Sequence, residues 1–223
     1  MTRPPPRGGT NRAPGPGPGR LRLIGGTYRS RLLPIPDHEG LRPTPDRVRE
    51  TLFNWLQPVL PGALCLDCFA GSGALGLEAA SRGAAEVVML ERAAPVVRQL
   101  RANVQALGAA PVQVLGADAL AWLAAPGRPF DLIFLDPPYA AGLLAPACDL
   151  IARNGWVRVG SRVYLEAQVQ SGLPPLPNGW NLLRDQVAGQ VAYGLALVES
   201  IPDANPAPGH TLDLGADLAP AES

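Results

Sequence analysis

The sequence predicts a doubly wound α/β fold: a mostly parallel seven-stranded sheet, a terminal antiparallel hairpin and a small N-terminal hairpin-and-helix extension. Three observations carry that expectation. Strand-length apolar runs alternate with helix-length segments through most of residues 59–200. The runs are apolar throughout, as in parallel strands covered on both faces. The last two runs turn around Ala188-Gly189, so they read as an antiparallel pair.

Each element has a local reason. Residues 21–24 and 28–33, around Gly25-Gly26, read as the small hairpin. Thr44 is a good N-cap with Pro45 at the first helical position, opening a helix that runs to about Gln57. Its Val48, Leu52, Trp55 and Leu56 share one face. Strands follow at 63–68, 87–90, 112–115, 130–135 and 162–166, then 182–187 and 191–198. Between them the sequence places helices at 74–82 and 95–107, closed by Gly83 and Gly108, a short helix after Asp118, and one at 143–152 stopped by Asn154-Gly155.

The chain has 223 residues, the length of one domain with extensions, with 19 basic and 19 acidic residues. Every basic residue is arginine, and the only histidines are His38 and His210. The absence of lysine excludes a P-loop phosphate lysine, a Schiff base and a kinase lysine. Both histidines lie in polar or Pro/Gly-rich surroundings, which argues against a histidine triad or metal site. The neutral total hides an asymmetry: residues 1–49 hold ten arginines against three acids, the rest nine against sixteen. A basic front fits either a polyanion partner or a solvated tail.

Cys65, Cys68 and Cys148 are too few and odd in number for a disulfide framework and are expected as buried reduced thiols, with no metal. No apolar stretch approaches a membrane span, and the Pro/Gly/Arg-rich start has no hydrophobic signal region, so a cytoplasmic, monomeric protein is expected. The division is a disordered tail at 1–20, a hairpin and helix at 21–58, a main domain at 59–200, and a disordered acidic tail at 201–223.

The first core strand runs into Asp67-Cys68-Phe69-Ala70-Gly71-Ser72-Gly73-Ala74-Leu75-Gly76. Gly71 and Gly73 let the backbone turn tightly and approach a ligand whose polar end meets a helix N-terminus. Glu91, at the end of the second strand, can accept from both hydroxyls of a ribose. Asp118, after the third strand, sits where an adenine or ribose edge usually lies. The spacing alone does not separate NAD from another nucleoside cofactor.

Asp136-Pro137-Pro138-Tyr139 leaves the end of the fourth core strand. Two prolines hold the backbone extended, so the Asp136 carboxylate and a main-chain carbonyl stand side by side. Two such acceptors match the two hydrogens of an exocyclic amine on a nucleobase, and Tyr139 offers a face for stacking. Acceptors on both N–H bonds favour the pyramidal nitrogen of a methyl-transfer transition state. A sulfonium donor is already activated, so the protein's task is positioning, without metal or lysine.

These residues closely resemble the ribosomal RNA small-subunit methyltransferase D family from about residue 22 to 198. The matching stretches are Ile24-Gly25-Gly26, Leu41-Arg42-Pro43-Thr44, residues 46–56, residues 65–79, the tetrad at Asp136, and residues 187–193. The resemblance implies a Rossmann-like methyltransferase fold and methylation of a guanine N2 in 16S rRNA, naked or in a small-subunit particle, with S-adenosylmethionine as cofactor. It implies that Asp67, Phe69, Gly71, Ser72, Gly73 and Glu91 hold the cofactor, that the Arg42-Pro43-Thr44 segment packs near its methionine end, and that Asp136, Pro137 and Tyr139 hold the amine. Arg22, Arg29, Arg31 and Arg47 of the basic front are the candidate RNA contacts. An adenine-N6 methyltransferase is the alternative, but such enzymes usually carry a target-recognition domain for which this chain has no room. An NAD-dependent oxidoreductase would need a substrate domain and a proton relay, and a non-catalytic RNA-binding module would leave both motifs without use.

Overall fold

The computed structural model of the chain describes residues 19–36, 38, 44–139 and 142–201. Apart from residues 19, 20 and 201, the two expected tails lie outside the described residues, and so does Arg42. The elements are β1 (Arg20–Arg22), β2 (Leu32–Pro34), α1 (Asp46–Leu56), β3 (Leu64–Asp67), α2 (Ala74–Ser81), β4 (Glu86–Glu91) and α3 (Ala94–Leu107). Then come β5 (Val112–Gly116), α4 (Ala119–Leu123), β6 (Phe130–Leu135), α5 (Leu144–Arg153), β7 (Val157–Gln168), β8 (Trp180–Ala188) and β9 (Val191–Val198).

Seven strands form one sheet in the order β5-β4-β3-β6-β7-β9-β8, parallel from β5 to β7 and closed by antiparallel β9 and β8. The winding reverses between β3 and β6, where Asp67 lies beside Phe134. Open α/β sheets bind ligands at that switch point, beyond the strands' carboxyl ends.

Alternation along each strand divides the core in two. One layer packs Cys65, Val87, Met89, Leu132 and Phe134 against α1, α2, α3 and the N-terminal hairpin. The other packs Leu66, Val88, Leu90, Ile133 and Leu135 against α4 and α5. No helix among the described residues is long and apolar enough to cross a membrane.

The N-terminal hairpin is shorter than the sequence pattern implies, because much of its connection bonds to α2 instead of to itself. The Ile24 and Gly25 amides donate to the Glu78 carboxylate, each at 2.8 Å. The Thr27 amide donates to the Ser81 carbonyl at 2.7 Å, and the Tyr28 amide to the Ser81 hydroxyl at 2.9 Å. Gly26 has φ +74, and a Cβ there would strike the Ser81 carbonyl oxygen, so the second glycine of Ile24-Gly25-Gly26 is dictated by close approach. Glu78 has no exposed surface and also accepts from Arg82 Nε at 2.7 Å. Arg49 of α1, 1% exposed, places Nη1 3.8 Å from the same carboxylate, while its Nη2 donates to the Arg22 carbonyl and to Asp46.

Two local expectations change. Thr44 does not cap α1: the cap position is Pro45, and the Thr44 hydroxyl donates instead to the Asp136 carboxyl at 3.0 Å. Asp46 in the first turn complements the helix dipole in place of a cap. Arg49 and Phe53 join the buried face of α1, while Trp55 is half-buried and stacks on Tyr193.

Removing Glu78 would strip two backbone amides and two guanidinium groups of their shared acceptor. Glu78→Ala is expected to cost about 3–5 kcal/mol, the usual penalty for orphaning a buried charge, read as a lower urea midpoint.

Candidate active site

The site is built from loops that leave the carboxyl ends of β3, β4 and β6. After Asp67 the chain is held over the sheet by backbone bonds from Cys68 to Phe134 and from Ala70 to Leu90. It then turns through Gly71 (φ +51) and Gly73 (φ +82), both in the left-handed region that disfavours a side chain. Gly76 sits so close to Met89 and Asp67 that a Cβ would collide. Its amide donates to Asp67 Oδ2 at 2.9 Å. Asp67 is therefore a buried brace beneath the loop. Burial pushes its pKa up to about 7, against the opposing pull of amide bonds from Gly76 and Phe69.

Glu91 braces the loop from the neighbouring strand. Its Oε2 accepts from the Gly71 amide at 3.1 Å and its Oε1 from the Ala93 amide at 2.7 Å. Each carboxylate oxygen keeps a second lone pair for a hydroxyl. Ser72 is buried in the loop, and Phe69 is half-buried against the α4–α5 layer. Asp118 is exposed and caps α4 by accepting from the Ala121 amide at 3.0 Å.

Beyond β6 the tetrad stands beside this loop. Asp136 is half-buried, Pro137 buried, Pro138 exposed, and Tyr139 38% exposed. The Tyr139 hydroxyl donates to Glu166 Oε1 at 2.8 Å, and the Tyr164 hydroxyl donates to Glu166 Oε2 at 2.8 Å. Glu166, on β7, is only 2% exposed. Its burial raises its pKa, against the two tyrosine bonds. The Asp136 carboxyl is pushed well above the usual carboxylate range, first by burial and then by the charge of Glu166, with the Thr44 bond opposing. A carboxyl in that state is a stronger proton acceptor once ionised than an ordinary aspartate.

The predicted residues divide into two groups. Asp67, Gly71, Gly73 and Glu91 meet through direct hydrogen bonds or one continuous turn, and Thr44 meets Asp136. Of the basic front, Arg29 and Arg31 lie away from the tetrad, whereas Arg22 and Arg47 lie by the start of α1, close to Thr44 and its bond to Asp136. Gly83 bonds to Gly62 at the start of β3, so the end of α2 that anchors the hairpin turn lies at the amino ends of the strands. Arg29 is exposed on that turn, and Arg31 donates to the Ala106 carbonyl near the end of α3. Arg22 pairs with Asp46 at 3.4 Å, and Arg47 is exposed on α1.

The family model described as conserved hypothetical protein 95 matches residues 21–196. The ribosomal RNA small subunit methyltransferase D of Escherichia coli (strain K12) is 51% identical over 179 residues, 80% of this chain and 90% of the relative. The chain belongs to that family. The protein of the same name from Haemophilus influenzae is 43% identical, over 79% of this chain and 93% of its own length. Among solved structures, the yhhF methyltransferase from Escherichia coli superposes with a TM-score of 0.77 at 48% identity, covering 82% of this chain and 99% of that one.

Family membership covers the whole described core, including residues that sequence reasoning missed. Glu166 stood only as the end of a strand, and Glu78 only as part of a matching stretch. A buried carboxylate looks like any surface acid in a sequence. Its one signal is position inside an otherwise apolar run, as in Val163-Tyr164-Leu165-Glu166-Ala167.

The cysteine pair has a plain structural role. Cys65 faces the α1–α3 layer and Cys68 the opposite layer, alongside Cys148, so the two thiols of the C-x-x-C lie on opposite faces of the sheet. All three are buried and free. Burial pushes all three thiols up, Cys148 to about 12. The native chain should leave all three unlabelled by Ellman's reagent at pH 8, and urea should expose them together.

Proposed function

We propose that the chain is an S-adenosylmethionine-dependent rRNA methyltransferase that modifies the N2 amine of a guanine in 16S rRNA of the small subunit. The observation that carries this reading is the Asp136 carboxyl, held by Thr44 and flanked by Tyr139, standing beside the glycine loop at the switch point of the sheet. Relatives that bear the name ribosomal RNA small subunit methyltransferase D support it.

The donor set fits the cofactor. Half-buried Glu91 and the carboxyl oxygens of Asp67 and Asp136 line the place where a ligand with ribose hydroxyls and a cationic end would lie. Asp67, Phe69, Gly71, Ser72, Gly73, Glu91 and Asp118 would hold it, with Arg42 and Thr44 toward its methionine end. S-adenosylmethionine supplies a methyl group on a sulfonium that needs no further activation.

The chain's own residues do the rest. Tyr139 stacks the flipped base, and the Glu166 bond to its hydroxyl sets the tilt of its ring. Asp136 and the carbonyl beside it accept the two N–H bonds, which frees the nitrogen lone pair for in-line attack. As the nitrogen gains its fourth substituent, its surplus proton passes to the Asp136 carboxylate, whose raised affinity for protons suits that task. Thr44 keeps the accepting oxygen turned toward the cleft.

Tritium transfer from labelled cofactor to unmodified small-subunit rRNA, followed by nucleoside mass spectrometry, tests the reading. N2-methylguanosine is expected, and N6-methyladenosine would replace the target. Asp136→Ala should retain cofactor binding by calorimetry while losing at least about 100-fold in kcat, the range of a lost general base.

The pH dependence has a definite sign. Activity requires ionised Asp136, so kcat/KM should rise with pH along a limb set above the ordinary carboxylate range. Removing the neighbouring charge lowers the Asp136 pKa, so Glu166→Gln should move that limb to lower pH. A limb that stays in place would remove Glu166 from the site.

A further inference from the structure

Acids are absent from residues 92–117, the stretch that forms α3 and the edge strand β5, yet it holds Arg92, Arg98 and Arg101. This interval lies in the half of the chain where acids outnumber arginines. The fold gathers the three arginines into one place. With Ala94, Val97 and Gly116 they line a concavity of about 410 Å³ between α3 and the end of β5. Residues 94, 97, 98 and 101 recur at helical spacing, so they form one stripe of α3.

The stripe is organised. Arg101 Nε and Nη2 both donate to the Val114 carbonyl, at 3.3 and 3.0 Å, which fixes its guanidinium against the sheet edge. A guanidinium carries five N–H groups, so three remain to face outward. Arg92 and Arg98 are exposed and have no side-chain partner among the described residues. Glu91, the nearest acid in sequence, is committed to the Gly71 and Ala93 amides.

We infer that the α3–β5 edge is a docking surface for RNA backbone phosphates, gripping nucleotides that flank the target base. This rests on the rRNA methyltransferase reading above and adds a surface to it. Three properties favour phosphate. Arginine forks match its oxygens and need no base identity. Arg92 follows directly on Glu91 at the carboxyl end of β4, the sheet end at which the glycine loop and the tetrad leave their strands. From β5 to β6 is three strand spacings, about 14 Å, within reach of an RNA segment whose base sits on Tyr139. The hairpin arginines stand at the opposite, amino ends of the strands, Arg29 on the turn beside Ser81 and Arg31 against Ala106 of α3.

The experiment compares the full-length wild type with Arg92→Ala/Arg98→Ala, using deproteinised, unmodified small-subunit rRNA as the probe. The slope of log Kobs against log salt should become shallower by about one for each arginine removed. S-adenosylmethionine affinity and Tm should be unchanged, and Arg92→Lys/Arg98→Lys should recover the slope. An unchanged slope, or a loss confined to cofactor affinity, overturns the docking surface. Methyl transfer by the wild type is measured in parallel. If it proceeds and the slope does not move, only the docking surface falls. If the wild type transfers no methyl group either to this RNA or to unmodified small-subunit particles, the functional reading falls and takes the surface with it.

Discussion

Glu78 sits near the end of α2 with no exposed surface, and two backbone amides and the guanidinium groups of Arg82 and Arg49 converge on it. The rest of the molecule's arrangement follows from that convergence. A buried carboxylate is tolerable only when its charge and lone pairs are answered, so the end of α2 depends on the hairpin turn and α1. The N-terminal extension is thereby fastened to α2, which follows the glycine loop. Once α1 is docked, the residue preceding it by two positions, Thr44, falls against Asp136 on the far side of the switch point. The same ion cluster that stabilises the extension thus sets the geometry of the site.

A second buried carboxylate, Glu166, plays the corresponding part from the other side. Two tyrosine hydroxyls satisfy it, and one of them belongs to the tetrad. Its charge acts on Asp136 through a desolvated interior, where such interactions are screened far less than on the surface. Asp67 is held under the glycine loop in the same manner. The site is therefore a set of carboxyls braced by backbone amides and hydroxyls. Under the proposed function, such a set would serve a cationic cofactor and a nucleobase amine without lysine or histidine.

Much of the fold was legible because the pattern is local. Apolar strand runs, Gly108 at the end of α3 and Asp118 at the start of α4 each follow from a few neighbouring residues. The glycine loop and the tetrad were legible for a different reason, since their chemistry depends on backbone conformation that Gly and Pro announce. The hairpin length, the cap at Thr44 and the burial of Arg49 were not legible. Each is decided by a partner far along the chain: Glu78 is 54 residues from Ile24, and Asp136 is 92 from Thr44.

The sequence by itself determined the winding, the switch-point motifs and the family to which they point, because periodicity, turn chemistry and motif spacing are properties of short stretches. Only the tertiary structure decided which arginines could serve one surface. Counting charges put the basic face on the N-terminal segment. The packing of that segment on α2 carries Arg29 and Arg31 to the amino ends of the strands, while α3 and β5 bring Arg92, Arg98 and Arg101 together around a concavity with Gly116 at the end of β5. Net charge is a sum over the chain, whereas the field a polyanion meets depends on where each charge stands.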